Sequence, residues 1–127
     1  MNPAIAVSIT RAFEAEHTLP GVGVAERHGH RYTVECGYTQ EIGSALGCAR
    51  PMQDAAKEVA DVLARLDGKY LNDLMPAPPT AEVIACWILA QLGSHWEWVS
   101  IRAYDGFMCR VERKHLAPWI GKLRGGS

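Results

Sequence analysis

From Ile5 to His17 the chain alternates with a period of two. Ile5, Val7, Ile9, Phe13, Ala15 and His17 share one parity, broken only by Arg11. Ala4, Ala6, Ser8, Thr10, Ala12, Glu14 and Glu16 share the other, more polar one. Strand side chains point to alternate faces, whereas a helix would scatter these residues around its axis. The alternation resumes further on, with His28, His30, Tyr32, Val34, Cys36 and Tyr38 set against Arg31, Thr33 and Glu35. Between the two runs, Leu19-Pro20-Gly21-Val22-Gly23 has the composition of a turn or loop. Strands over about 4–17 and 27–38 then form an antiparallel hairpin, which brings His17 beside the His28/His30 pair.

That juxtaposition carries chemistry. Three imidazoles converging from two strands, with a fourth coordination position left open, is the usual build of a catalytic zinc site. An H-x-H pair by itself is a weak sign, because strand histidines also pack in cores or face solvent. The third histidine at the end of the buried parity is what strengthens the metal reading. Imidazole also suits iron, copper and nickel, so the ligand set alone does not choose among these metals.

Downstream, Arg50-Pro51 opens a helical stretch. Met52, Ala55, Ala56, Val59, Val62, Leu63 and Leu66 recur every three or four residues, and Gly68 can end the helix. A proline-rich connector covers 71–79. Thr80 is a credible N-cap for a second helix, with Glu82 in its first turn, Val83, Ile84, Trp87, Ile88, Ala90 and Leu92 as its apolar surface, and Gly93 at its end. A third strand is expected over 98–103, a tight turn at Asp105-Gly106, and a fourth strand over 107–113. The order ββααββ predicts an α+β fold, with a four-stranded antiparallel sheet and both helices on one face. One domain is expected over 1–120, followed by a disordered tail over 121–127. Open sheet edges tend to pair with other chains, so a homo-oligomer is expected.

The 127 residues suit one domain with one core. A net charge of −1 supplies no footprint for nucleic acid or for an anionic membrane, and no apolar run is long enough to cross a bilayer. The N-terminus lacks the pattern of a signal peptide. Cys36, Cys48, Cys86 and Cys109 form no C-x-x-C pair and read as reduced structural thiols, which together with the missing signal predicts a cytoplasmic protein.

Four segments resemble one family. Phe13-x-Ala15-x-His17, His28-Gly29-His30-x-Tyr32-x-Val34, Leu66-Asp67-x-x-Tyr70-Leu71-Asn72-Asp73 and Pro79-Thr80-Ala81-Glu82 follow the order of motifs in the 6-pyruvoyltetrahydropterin and 6-carboxytetrahydropterin synthases, across 13–101. The resemblance implies the tunnelling fold, in which subunits join their sheets into barrels, commonly as hexamers of two trimers. It implies Zn2+ held by His17, His28 and His30, and a small-molecule substrate whose oxygens reach the metal.

The chain also departs from that pattern. Val24 stands where the family has a catalytic cysteine, and Gly68 follows Asp67 where it has a histidine. Ala103 and Tyr104 stand near the position of a glutamate that anchors the pterin. The family's Gly-Met-x-x-Asp-Phe pattern is reduced to Gly47-Cys48-Ala49-Arg50-Pro51-Met52. The ligands are retained while the proton-transfer set is lost. Glu26 and Asp67 are the substitute proton carriers nearest in sequence, although each also reads as a plain carboxylate of a loop or helix end. Tyr104 and Asp105 lie where a substrate edge would be read, with Asp105 also serving its turn. Glu16 has the wrong parity for a ligand, and His95 and His115 read as surface residues. Three functions follow: a divergent zinc-dependent lyase or cyclase acting on an oxygen-bearing heterocycle or carbonyl compound; an ordinary pterin synthase acting on dihydroneopterin triphosphate; and a non-catalytic metal-binding scaffold.

Overall fold

The computed structural model describes residues 2–125. Four strands, β1 (Ala4–Leu19), β2 (Val24–Glu41), β3 (Trp98–Arg102) and β4 (Met108–Glu112), form one antiparallel sheet in sequence order. The long helices are α1 (Met52–Ala64) and α2 (Ala81–Gln91); two short ones follow, α3 (Arg113–Leu116) and α4 (Ile120–Gly125). The buried parity is the expected one. Ile9, Phe13 and Ala15 of β1 meet Tyr32, Val34 and Cys36 of β2, then Val99 and Ile101 of β3, and this face packs on Ala55, Val59 and Leu63 of α1 and Ile84, Ile88 and Leu89 of α2. Burying side chains of this kind contributes about 1.5–3 kcal/mol each, and the alternation directs that gain to one face.

Local signals explain where the helices start. Pro51 immediately precedes α1, and Thr80 caps α2, its Oγ1 accepting from the Val83 N–H at 3.2 Å. Gly68 has φ +75°, a conformation that favours glycine, and it does more than follow a helix end. It turns the chain onto the outer edge of β1, so that the Gly68 N–H donates to the Glu14 carbonyl (2.7 Å) and the Glu16 N–H to the Lys69 carbonyl (2.9 Å). Asn72 extends this ladder with its side chain, accepting from the Thr18 N–H at 2.9 Å and donating to the Thr18 carbonyl at 3.1 Å. The segment 67–72 therefore braces the stretch of β1 that carries His17.

The end of the chain corrects the expected tail. Residues 120–125 are helical rather than disordered, while 126–127 lie outside the described residues. Leu116 and Leu123, seven apart, are both buried, and Gln91 Nε2 of α2 donates to the Leu123 carbonyl at 3.2 Å. Two buried leucines and a tie to α2 anchor a segment whose composition reads as unstructured. No helix among the described residues is long and apolar enough to cross a membrane.

Candidate metal centre and its cavity

His17 and His28 face each other across the β1–β2 ladder, directly paired in register, and His30 follows two residues along the same face. Their ligand atoms all lie within 4.8 Å of one another. The mouth of the hairpin thus assembles the three side chains that strand parity predicts.

Main-chain carbonyls fix two of the rings. His17 Nδ1 lies 2.8 Å from the Pro79 carbonyl, and His28 Nδ1 lies 2.8 Å from the Glu26 carbonyl. A carbonyl only accepts, so each Nδ1 carries the proton and each Nε2 of the neutral ring presents a bare lone pair. Those two Nε2 atoms are 2.9 Å apart. Two lone pairs at that distance repel unless a proton or a cation sits between them. His30 Nε2 is buried with no hydrogen-bond partner. Three ring nitrogens converging on one point, two with their far sides held by carbonyls, are what a zinc ion requires, including the outer contacts that orient its ligands. The residues fit the metal.

Electrostatics agrees. Burial, helped by the neighbouring imidazoles, pushes the His30 pKa below its ordinary value. At His17 burial also outweighs the opposing bond to Pro79 and lowers the pKa. Both rings are therefore neutral at neutral pH, the form that binds metal.

A cavity of about 530 Å³ opens in front of these rings. His17 and His30 form its floor with Tyr32, and Thr80 and Glu82 come from the start of α2. Tyr104, Asp105 and Phe107 come from the β3–β4 turn. Asp105 and Gly106 have φ of 54° and 76°, and the Phe107 N–H donates to the Tyr104 carbonyl at 3.0 Å, which makes a type I′ turn. This turn lays the exposed Tyr104 ring flat against His30, with centroids 4.3 Å apart and planes 17° apart.

The other expected site residues fall elsewhere. Glu26 is exposed at the start of β2, and only its carbonyl reaches His28. Asp67 Oδ1 accepts from the Glu14 N–H at 3.0 Å and lines a separate cavity with Arg11 and Ala60. Val24 is partly exposed and pairs with Leu19. Sequence reasoning missed two participants, the Tyr104–His30 stack and Glu82 as a wall of the cavity. Glu82 carried a signal in its first-turn position, and Asp105-Gly106 signalled the turn, but the approach of Tyr104 to His30 across strands has no local signature.

Residues 6–112 match the family model described as 6-pyruvoyl tetrahydropterin synthase. The chain belongs to the 6-pyruvoyl tetrahydropterin synthase family. Solved structures agree in fold. The Caenorhabditis elegans 6-pyruvoyl tetrahydropterin synthase superposes with a TM-score of 0.80 at 18% identity, covering 87% of this chain and 96% of that one. The Plasmodium falciparum enzyme gives 0.66 at 16% identity, covering 88% and 99%. A Plasmodium vivax enzyme in which a catalytic glutamate is replaced by alanine gives 0.70 at 16% identity, also covering 88% and 99%. No curated protein sequence matches the chain. The sheet with its two helices on one face is thus the tunnelling fold of this family. The family match ends at residue 112, so α3 and α4 lie beyond it.

Proposed function

We propose that the protein is a zinc-dependent lyase or cyclase acting on a planar, oxygen-bearing heterocycle, a divergent relative of the pterin synthases. One observation carries this reading: three imidazoles converge, with two ring nitrogens facing each other 2.9 Å apart and a third buried without a partner. Zinc bound there supplies a Lewis acid toward a substrate carbonyl or hydroxyl.

The chain's own groups do the remaining work. Tyr104, flat against His30, offers an aromatic surface beside the ligands on which a planar ring can stack. Glu82 supplies a carboxylate at the cavity wall, able to accept hydrogen bonds from the N–H groups of a heterocycle edge. Glu26 is assigned the proton transfer. It stands at the hairpin mouth on β2, two residues before His28, and a glutamate is a catalytic residue in the Plasmodium vivax relative. Asp67 is assigned a brace for β1, since its carboxylate already holds the Glu14 N–H.

The charge of the cavity favours a divergent substrate over dihydroneopterin triphosphate. Its charged walls are Glu82 and Asp105, and no Lys or Arg side chain among the described residues lines it. A triphosphate would meet two carboxylates and no counter-charge from this chain. The edge of β4, and that of β1 before Glu14 where segment 67–72 does not cover it, support a homo-oligomer, trimer or hexamer, and the four free thiols support a reducing, cytoplasmic setting.

The test begins with metal. Purified protein, stripped and titrated with zinc against a chromophoric chelator, should bind one ion per chain. The loaded protein should then convert an oxygenated pterin-type ring, and Glu26→Gln should slow that turnover by about 10²–10⁴-fold with zinc affinity unchanged. A chain that stays empty at micromolar zinc would remove the proposal. Efficient turnover of dihydroneopterin triphosphate would restore the ordinary synthase reading.

A further inference from the structure

The cavity in front of the histidines has a neighbour. A second cavity, of about 330 Å³, is lined by Leu19, Val22, Pro78, Val83 and Trp119 among others, and Leu19, Val22 and Thr80 line both. The two are therefore contiguous at the mouth of the hairpin. Apart from Thr80, every described side chain lining the second one is apolar, and again no Lys or Arg among the described residues lines it.

Its outer wall lies outside the residues that match the family. Trp119 lies beyond residue 112, where the family match stops, in the turn between α3 and α4. Both flanks of that turn are anchored. The Trp119 N–H donates to the Leu116 carbonyl and the Leu123 N–H to the Trp119 carbonyl, each at 2.9 Å, with both leucines buried. The indole itself is 42% exposed, so it is held in position yet keeps a face available to a ligand. Lys122 Nζ lies 5.5 Å from the indole centroid.

We propose that this second compartment is a subsite for an apolar or aromatic substituent on the ring held in the metal-facing cavity, with Trp119 as its specificity-determining residue. The inference rests on the preceding functional reading, in that a planar ring occupies the first compartment. A phosphorylated side chain entering the second compartment would lose its hydration with no cation among the described lining residues, whereas an aryl group would bury its surface against proline, valine and indole.

Ligand binding provides the test, with zinc-loaded full-length protein and two probes, pterin and 6-phenylpterin, measured by calorimetry. The phenyl group should tighten binding by about tenfold or more. Trp119→Ala should abolish that gain, Trp119→Phe should retain most of it, and pterin itself should bind all three proteins equally. A thermal melt will show that the exposed substitution leaves the fold intact. If pterin binds but the phenyl group adds nothing, or if its gain survives in Trp119→Ala, the subsite is overturned while the functional reading stands. If neither ring binds the wild-type protein, both are overturned.

Discussion

Histidines are half-buried or buried at both ends of β2, with opposite consequences. Near its start, His17, His28 and His30 turn three nitrogens toward one point, and carbonyls bind the far sides of two of the rings. Near its end, His95 packs on Tyr38 and Trp96 rather than lying on the surface as the sequence suggests. Its Nε2 is also buried without a hydrogen bond, and burial also lowers its pKa. Yet the carboxylate beside it, on Glu58, is already engaged by Trp96 Nε1 at 2.7 Å and by Arg50. The 3.6 Å from His95 to Glu58 is too long for a hydrogen bond, and a ring held neutral makes no ion pair. A buried, partnerless imidazole is thus not in itself a metal sign. Convergence of several bare nitrogens is.

The strongest way to break this comparison is to remove one imidazole from each end. His28→Ala should weaken zinc binding by more than about 100-fold, beyond the 10–100-fold typical of losing an outer-shell contact. His95→Ala should leave zinc affinity unchanged. Chelator competition on both variants decides it, and equal losses would make the two ends alike.

A second experiment asks what the far end does instead. Glu58→Ala removes the acceptor of the Trp96 indole N–H and the partner of Arg50. Trp96 is fully buried, so its N–H would be left without a partner, a loss of about 1–3 kcal/mol. Urea unfolding should show that loss with zinc stoichiometry intact. Third in size, Thr80→Ala removes the cap on α2 and should cost about 1 kcal/mol. Because the Pro79 carbonyl next to it holds His17, this variant should also weaken zinc binding modestly, whereas Glu58→Ala should not.

Much of this contrast can be read from the chain. The alternation that ends at His17 and resumes at His28 fixes the hairpin and its buried face, and with them the three ligands. Strand parity is local and tolerates no slip, since a shift of one residue would expose the whole apolar set. Residues brought in by non-local geometry are harder to see. Tyr104 reaches His30 only through a type I′ turn, and Trp119 reaches the second cavity only because Leu116 and Leu123 anchor the end of the chain. Asp67 looks catalytic beside its family motif, but its carboxylate is committed to a β1 N–H, a pairing invisible without the fold. His95 carries no flanking motif, so its burial against Trp96 has no sequence signature.

The smallest expected effect is a pH dependence that the two ends share until zinc separates them. His17, His30 and His95 all have pKa values held below 6.5, with burial the largest cause at each. A group depressed in the folded state is protonated first in the unfolded chain, so the unfolded state takes up more protons as pH falls through 6.5. Metal-free protein should therefore lose stability progressively below about pH 6.5, each ring adding a modest share because solvent still reaches His95 and His30. Replacing His95 with Asn should remove part of that slope with or without zinc, since no metal contacts it. Zinc should act on the rest, because protons and metal compete for the same nitrogens at the hairpin mouth. Loaded protein should be more stable than metal-free protein at pH 7.5, with the advantage shrinking as pH falls. Melting curves over pH 5–8, with and without zinc, for wild type and His95→Asn, separate the two contributions. If zinc left the pH slope of the wild type unchanged, the three converging rings would be no more a metal centre than His95 is.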